Sequence, residues 1–166
     1  MACRGLFLSL SDDEVEQLRR IGKDSARINR LHEMEEEYFA RMEQRKAECD
    51  KSWDAMHRTL TNGRLTPDGG TYPLNHVVLG GHSLYSGGDY IFVLKTAEQV
   101  RDVAAVVPAM AKSEFRSRYF AIPQSSYLHP LEELDFEYTW AYFEDVRAFW
   151  LLAASEGRQV VFVVDQ

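Results

Sequence analysis

Two segments of this chain, Asp89-Tyr90-Ile91-Phe92-Val93-Leu94 and Gln159-Val160-Val161-Phe162-Val163-Val164, are apolar almost without interruption. A strand that rests one face on a core and shows the other to water alternates apolar with polar residues, so an unbroken run has to be covered on both sides. Helices are the available cover. The expected architecture is therefore an α/β three-layer sandwich, helix-rich, with a small mixed or parallel sheet and helices on both faces. Leu6 to Leu10 supplies a third apolar strand.

The helices announce themselves by their ends. Ser11-Asp12-Asp13-Glu14 reads as a capping box, with a hydroxyl at N-cap and a carboxylate at N3, followed by Val15, Leu18 and Ile21 up to Gly22. From Lys23 to Asn62 there is neither Gly nor Pro, and Ile28, Leu31, Met34, Tyr38 and Met42 recur at three- and four-residue steps, which predicts a helix. Asp50 suits the N-cap of a second helix reaching Leu60, with Cys49 on or beside it. Pro73 suits a short helix ending at Gly80-Gly81. Thr96 caps a helix to about Val107, Ser113 to Tyr119 is another, and a long one runs from about Leu131 to Glu156. That last helix carries Phe136, Tyr138, Trp140, Tyr142, Phe143, Phe149 and Trp150 around most of its circumference. Rings bury large areas, so Trp140 and Trp150 belong in one core.

A chain of 166 residues with 45% hydrophobic content fits one domain, residues 1–166, and can bury a core without staples. Its net charge of −7 repels phosphate backbones, and no Lys/Arg run offsets it locally, which argues against nucleic acid and suits a basic protein partner. Two cysteines, Cys3 and Cys49, form no paired motif and fit a reducing compartment. The opening residues carry too short an apolar run for a secretory signal, and no segment reaches the roughly 18 apolar residues of a membrane span. A cytoplasmic protein without a membrane role is the expectation, and its oligomeric state stays open.

Polar and ring-bearing residues concentrate between Asp50 and Leu84. A small-molecule site, were there one, is expected around Trp53, Asp54, His57, Asn75, His82 and Tyr90, beside the Gly80-Gly81 turn. The histidines lack Cys, Asp or Glu at zinc-like spacing and His-Glu-x-x-His is absent, so no metal is expected. Neither a P-loop nor Gly-x-Gly-x-x-Gly occurs, and no Gly-x-Ser-x-Gly elbow frames a serine. No catalytic residue and no cofactor can be assigned. The acidic run Glu33, Glu35, Glu36, Glu37 reads as a solvated helix face answered by Arg41, Arg45 and Lys46. Glu132, Glu133, Asp135 and Glu137 complement the dipole of the last helix.

The residues Asp50-Lys51-Ser52-Trp53-Asp54-Ala55-Met56-His57-Arg58-Thr59-Leu60-Thr61, the Tyr72-to-Leu84 stretch with Leu79-Gly80-Gly81, and the closing Asp165-Gln166 resemble the bacterial YfbM-like family. Cys3-Arg4-Gly5 and Phe136-Glu137-Tyr138-Thr139-Trp140 look like one of its branches. The resemblance implies a three-layer α/β fold, in a family of unknown function with no catalytic residue to carry over. Some of its members look like neighbours of toxin systems, which implies an immunity-type role by analogy. The leading expectation is a non-catalytic binding protein for a partner protein with a basic surface or toxin-like character. The alternatives are a small-ligand binder or enzyme with a pocket near Trp53 and His57, and an accessory protein using its long charged helix as an interface.

Overall fold

The computed structural model describes residues 3–165. Its elements in chain order are β1 (Gly5–Leu10), α1 (Asp12–Arg20), α2 (Asp24–Arg41), β2 (Lys46–Asp50), α3 (Trp53–Leu60), β3 (His82–Ser83), β4 (Tyr90–Lys95), α4 (Ala97–Val106), α5 (Lys112–Phe120), α6 (Glu133–Ser155) and β5 (Gln159–Asp165), with short 3₁₀ turns between them. The sheet order is β2-β1-β5-β4-β3.

Alternate residues of the central strands enter two separate cores. Leu6, Leu8, Leu10, Phe92, Leu94, Val161 and Val163 pack under α1 and α2, against Val15, Leu18, Ile28, Leu31, Met34 and Tyr38. Phe7, Ala47, Cys49, Val93, Val160, Phe162 and Val164 pack under α3 to α6. Both faces are covered, as unbroken apolarity demands. On the larger core, Phe115 stacks on Phe143 at 4.8 Å, and Phe7 meets the edge of Trp150 at 6.2 Å. Trp140 and Trp150 lie in this one core.

The expectation of a mixed or parallel sheet is corrected. Every pairing, β1 with β2, β1 with β5, β3 with β4 and β4 with β5, is antiparallel. Continuous apolarity reports that both faces are buried; it carries no information on strand direction. A parallel pair needs a crossover, usually one helix. Here the excursion from β1 to β2 carries α1 and α2, and that from β4 to β5 carries α4, α5 and α6.

A second correction concerns Cys49 and Asp50, which lie on the edge strand β2 rather than at a helix start. Asp50 takes φ +43°, a left-handed conformation that Asp tolerates better than most residues, and α3 begins three residues later at Trp53.

The capping box at Ser11 is present: Glu14 N–H donates to Ser11 Oγ at 3.3 Å and Ser11 N–H donates to Glu14 Oε2 at 2.7 Å. The same Glu14 carboxylate accepts from Tyr38 Oη at 3.0 Å and from Arg158 at 3.3 Å, tying α1, α2 and the start of β5 together. Ser11→Ala is expected to cost about 1 kcal/mol, a typical value for a lost N-cap. A urea midpoint shifted down with unchanged slope is the check; no shift would mean that water caps α1 equally well.

Candidate functional site

Four strands end together at one end of the sheet. Gly5 opposes Asp50 across β1 and β2, Leu6 opposes Val163 across β1 and β5, and Tyr90 opposes Asp165 across β4 and β5. These ends floor a cleft of about 600 Å³, walled by His32, Glu35 and Phe39 of α2 and by Tyr142 of α6. Gly5 lets the floor close: a Cβ there would come within 2.6 Å of Cys49 Sγ and 2.9 Å of the Phe162 ring.

The cleft is acidic and aromatic. Four carboxylates, Glu35, Glu48, Asp50 and Asp165, line it with the bases Arg4 and His32. Asp50 accepts a hydrogen bond from Tyr138 Oη at 2.9 Å and stands 3.5 Å from the mostly exposed Arg4 guanidinium. Glu48 pairs with Lys46 at 3.2 Å. Glu35 and Asp165 make no ion pair with Lys, Arg or His among the described residues. Burial pushes the Glu35 carboxyl above the usual range; His32 opposes this and the negative Asp165 adds to it. Burial likewise raises the Tyr90 hydroxyl, helped by Asp165, Asp89 and Glu35. Tyr90 is held between two rings, Tyr85 at 5.6 Å and His32 at 6.3 Å.

Of the six residues expected at a small-molecule site, Tyr90 lines this cleft. Trp53 packs against Phe162 at 6.0 Å and donates from Nε1 to the Cys3 carbonyl at 3.0 Å. Asp54 is ion-paired with Arg58 one turn along α3. His57 is fully buried, with Nε2 2.9 Å from the Thr66 carbonyl. Asn75 is buried with its Oδ1 2.8 Å from His76 Nδ1, and His82 is exposed on the edge strand β3. Trp53 and His57 thus fix the packing of α3 against neighbouring segments, and Asp54 pairs with Arg58 along the helix. Close to them Lys95 is buried completely, its Nζ donating to the Val78 carbonyl at 2.5 Å, and burial drives its pKa well below the ordinary value.

Sequence reasoning missed Glu35, Asp165 and Tyr142. A signal existed for Glu35: His32, Glu35 and Phe39 stand at i, i+3 and i+7, one stripe on α2 beside its apolar stripe. It was masked by the neighbouring acids, which read together as a solvated face. Among the described residues no three His, Cys, Asp or Glu side chains gather as metal ligands, and no helix is long and apolar enough to cross a membrane.

The pattern of the family described as "Domain of unknown function (DUF1877)" matches residues 1–163. Among solved structures the chain is similar to the crystal structure of YfbM, a protein of unknown function from Escherichia coli. The two share 20% identity and a TM-score of 0.64, over 97% of this chain and 99% of that one. At that identity the likeness speaks for the fold alone. A search among curated proteins finds no match.

Proposed function

The chain belongs to the DUF1877 family, for which no activity is established, and from that premise we propose that it is a binding protein whose cleft takes a cationic group. One observation carries the reading: Glu35 and Asp165 face the same cleft, neither is ion-paired with Lys, Arg or His among the described residues, and the negative Asp165 adds to the rise in the Glu35 pKa that burial causes and His32 opposes. A ligand guanidinium or ammonium would relieve that repulsion, and the Tyr90 and Tyr142 rings that line the cleft would add attraction for such a cation, whereas the Phe39 ring already carries Lys46 Nζ at 4.2 Å. The net charge of −7 would add long-range attraction for a basic partner. The finer form of the reading is an arginine or lysine side chain of a partner protein, in an immunity-type or similar non-catalytic role.

Calorimetric titration of the protein with acetyl-arginine amide at low ionic strength tests it. Binding is expected for arginine and not for acetyl-citrulline amide, the neutral isostere. Glu35→Gln is expected to weaken binding about tenfold or more, the usual worth of a charged hydrogen bond. Equal affinity for both amides would sink the charge reading. The pH dependence follows from Glu35. Because its carboxyl titrates above the usual 4.5, binding is expected to fall on acidification before the pH reaches that value, and Glu35→Gln is expected to remove this component.

A further inference from the structure

Tyr142 lines one side of the acidic cleft, and its ring meets that of Tyr138. A second hollow of about 450 Å³ is lined by Lys51, Tyr127, His129, Glu132, Leu134, Asp135 and Tyr138. The two share a wall: Asp50 and Lys51 are consecutive, Tyr138 Oη donates to Asp50 Oδ2 at 2.9 Å, and the Tyr138 and Tyr142 rings meet edge to face at 5.0 Å. Their chemistry differs. In the second hollow Asp135 is already occupied, accepting from Tyr119 Oη at 2.5 Å and from Tyr127 Oη at 2.8 Å. Leu134 at 77% exposure lines it, and Leu128 at 90% stands next to its residues Tyr127 and His129; no other large apolar side chain exceeds 49% among the described residues. Burying Leu134 under an apolar side chain would recover hydrophobic free energy now forgone.

Resting on the proposed function above, we infer that both hollows are read at once by one extended stretch of a partner protein. A basic residue enters the acidic cleft, and a large apolar residue lies against Leu134 in the second hollow. The Tyr138–Tyr142 ridge between the hollows is spanned by backbone. Leu134 and Tyr142 are about two turns apart on α6, about 12 Å along its axis. Extended chain covers that in three to four residues at about 3.3 Å each. The recognised pattern is therefore a basic residue and a large apolar residue separated by two or three others.

Calorimetric titration of the full chain with acetyl-Arg-Thr-Thr-Leu-amide and acetyl-Arg-Thr-Thr-Ser-amide tests this. The leucine peptide is expected to bind about tenfold tighter, the lower end of what burying a leucine yields. Leu134→Asp is expected to abolish that advantage and leave the serine peptide unaffected. An exposed first-turn position accepts aspartate, so this variant retains its fold, as its circular dichroism should confirm. Equal affinities for the two peptides, with binding that still depends on Glu35, would overturn the two-hollow inference and leave the cation reading standing. A leucine advantage that survives Leu134→Asp would overturn it equally. If neither peptide binds, or both bind indifferently to Glu35→Gln, the cation reading fails and takes this inference with it.

Discussion

Trp150→Ala is expected to lower the unfolding free energy by about 3–5 kcal/mol, the usual cost of emptying a buried aromatic site. Trp150 is fully buried where α6 meets the sheet, edge-on to Phe7 at 6.2 Å and to Phe149 at 6.2 Å. Phe7 and Phe149 themselves lie 5.9 Å apart, so the cavity would open in the middle of a ring cluster with little room to collapse. A domain of this size holds only about 5–15 kcal/mol in all, and each kcal/mol moves its melting temperature by about 2–4 °C, so a fall near 10 °C is expected. Trp150→Phe is expected to cost clearly less. It keeps most of the volume and removes an indole N–H that has no hydrogen-bond partner. Thermal and urea unfolding of the two variants check the ordering. Equal losses in both would assign the cost to shape alone and deny any relief from removing the orphan donor.

Acidification is expected to remove about 3 kcal/mol through His57 alone, since its pKa falls from an ordinary 6.5 to about 4. Burial is the main cause; the Thr66 carbonyl opposes the shift, and the Lys95 and Arg58 charges reinforce it. Geometry gives the reason. A carbonyl only accepts, so Nε2 carries the ring's proton toward Thr66, and Nδ1 is left buried with no partner. Protonation would place a charged N–H where nothing accepts it. The folded pKa lies below the unfolded one, so the unfolded chain takes the proton first. The stability from this group is intact above about pH 6.5 and is lost as pH falls toward about 4. His57→Gln can still donate to Thr66 and does not titrate. Its unfolding free energy is expected to change less between pH 7 and pH 4 than that of the parent, by about 3 kcal/mol. Parallel pH profiles for the two proteins would show that His57 opens to water before it protonates.

How much of this was legible in advance depended on how local each signal is. The Ser11 box satisfies backbone N–H groups within one turn, and both halves of it form as read. Thr96 caps α4 with Gln99 in the same manner. β2 was hidden inside a stretch without Gly or Pro. Its sequence Lys46-Ala47-Glu48-Cys49-Asp50 does alternate with burial, Ala47 and Cys49 inward, but five residues of edge strand give a weaker pattern than the adjoining 18-residue helix. β3, two exposed residues long, had no pattern to read.

The sequence by itself determined that the sheet is covered on both faces, where α1 and α4 begin, and that α6 is a core helix. These follow from burial periodicity and caps, which operate within a few residues. Tertiary structure alone decided strand direction, the edge position of β2 and the convergence of Glu35, Asp50, Tyr90, Tyr142 and Asp165 on one cleft. Those residues come from β2, β4 and β5 and from two helices that pack on opposite faces of the sheet. Side-chain types and spacing specify which face a residue turns to the core. Which distant residues meet is settled by long-range strand pairing, and that depends on how whole elements pack.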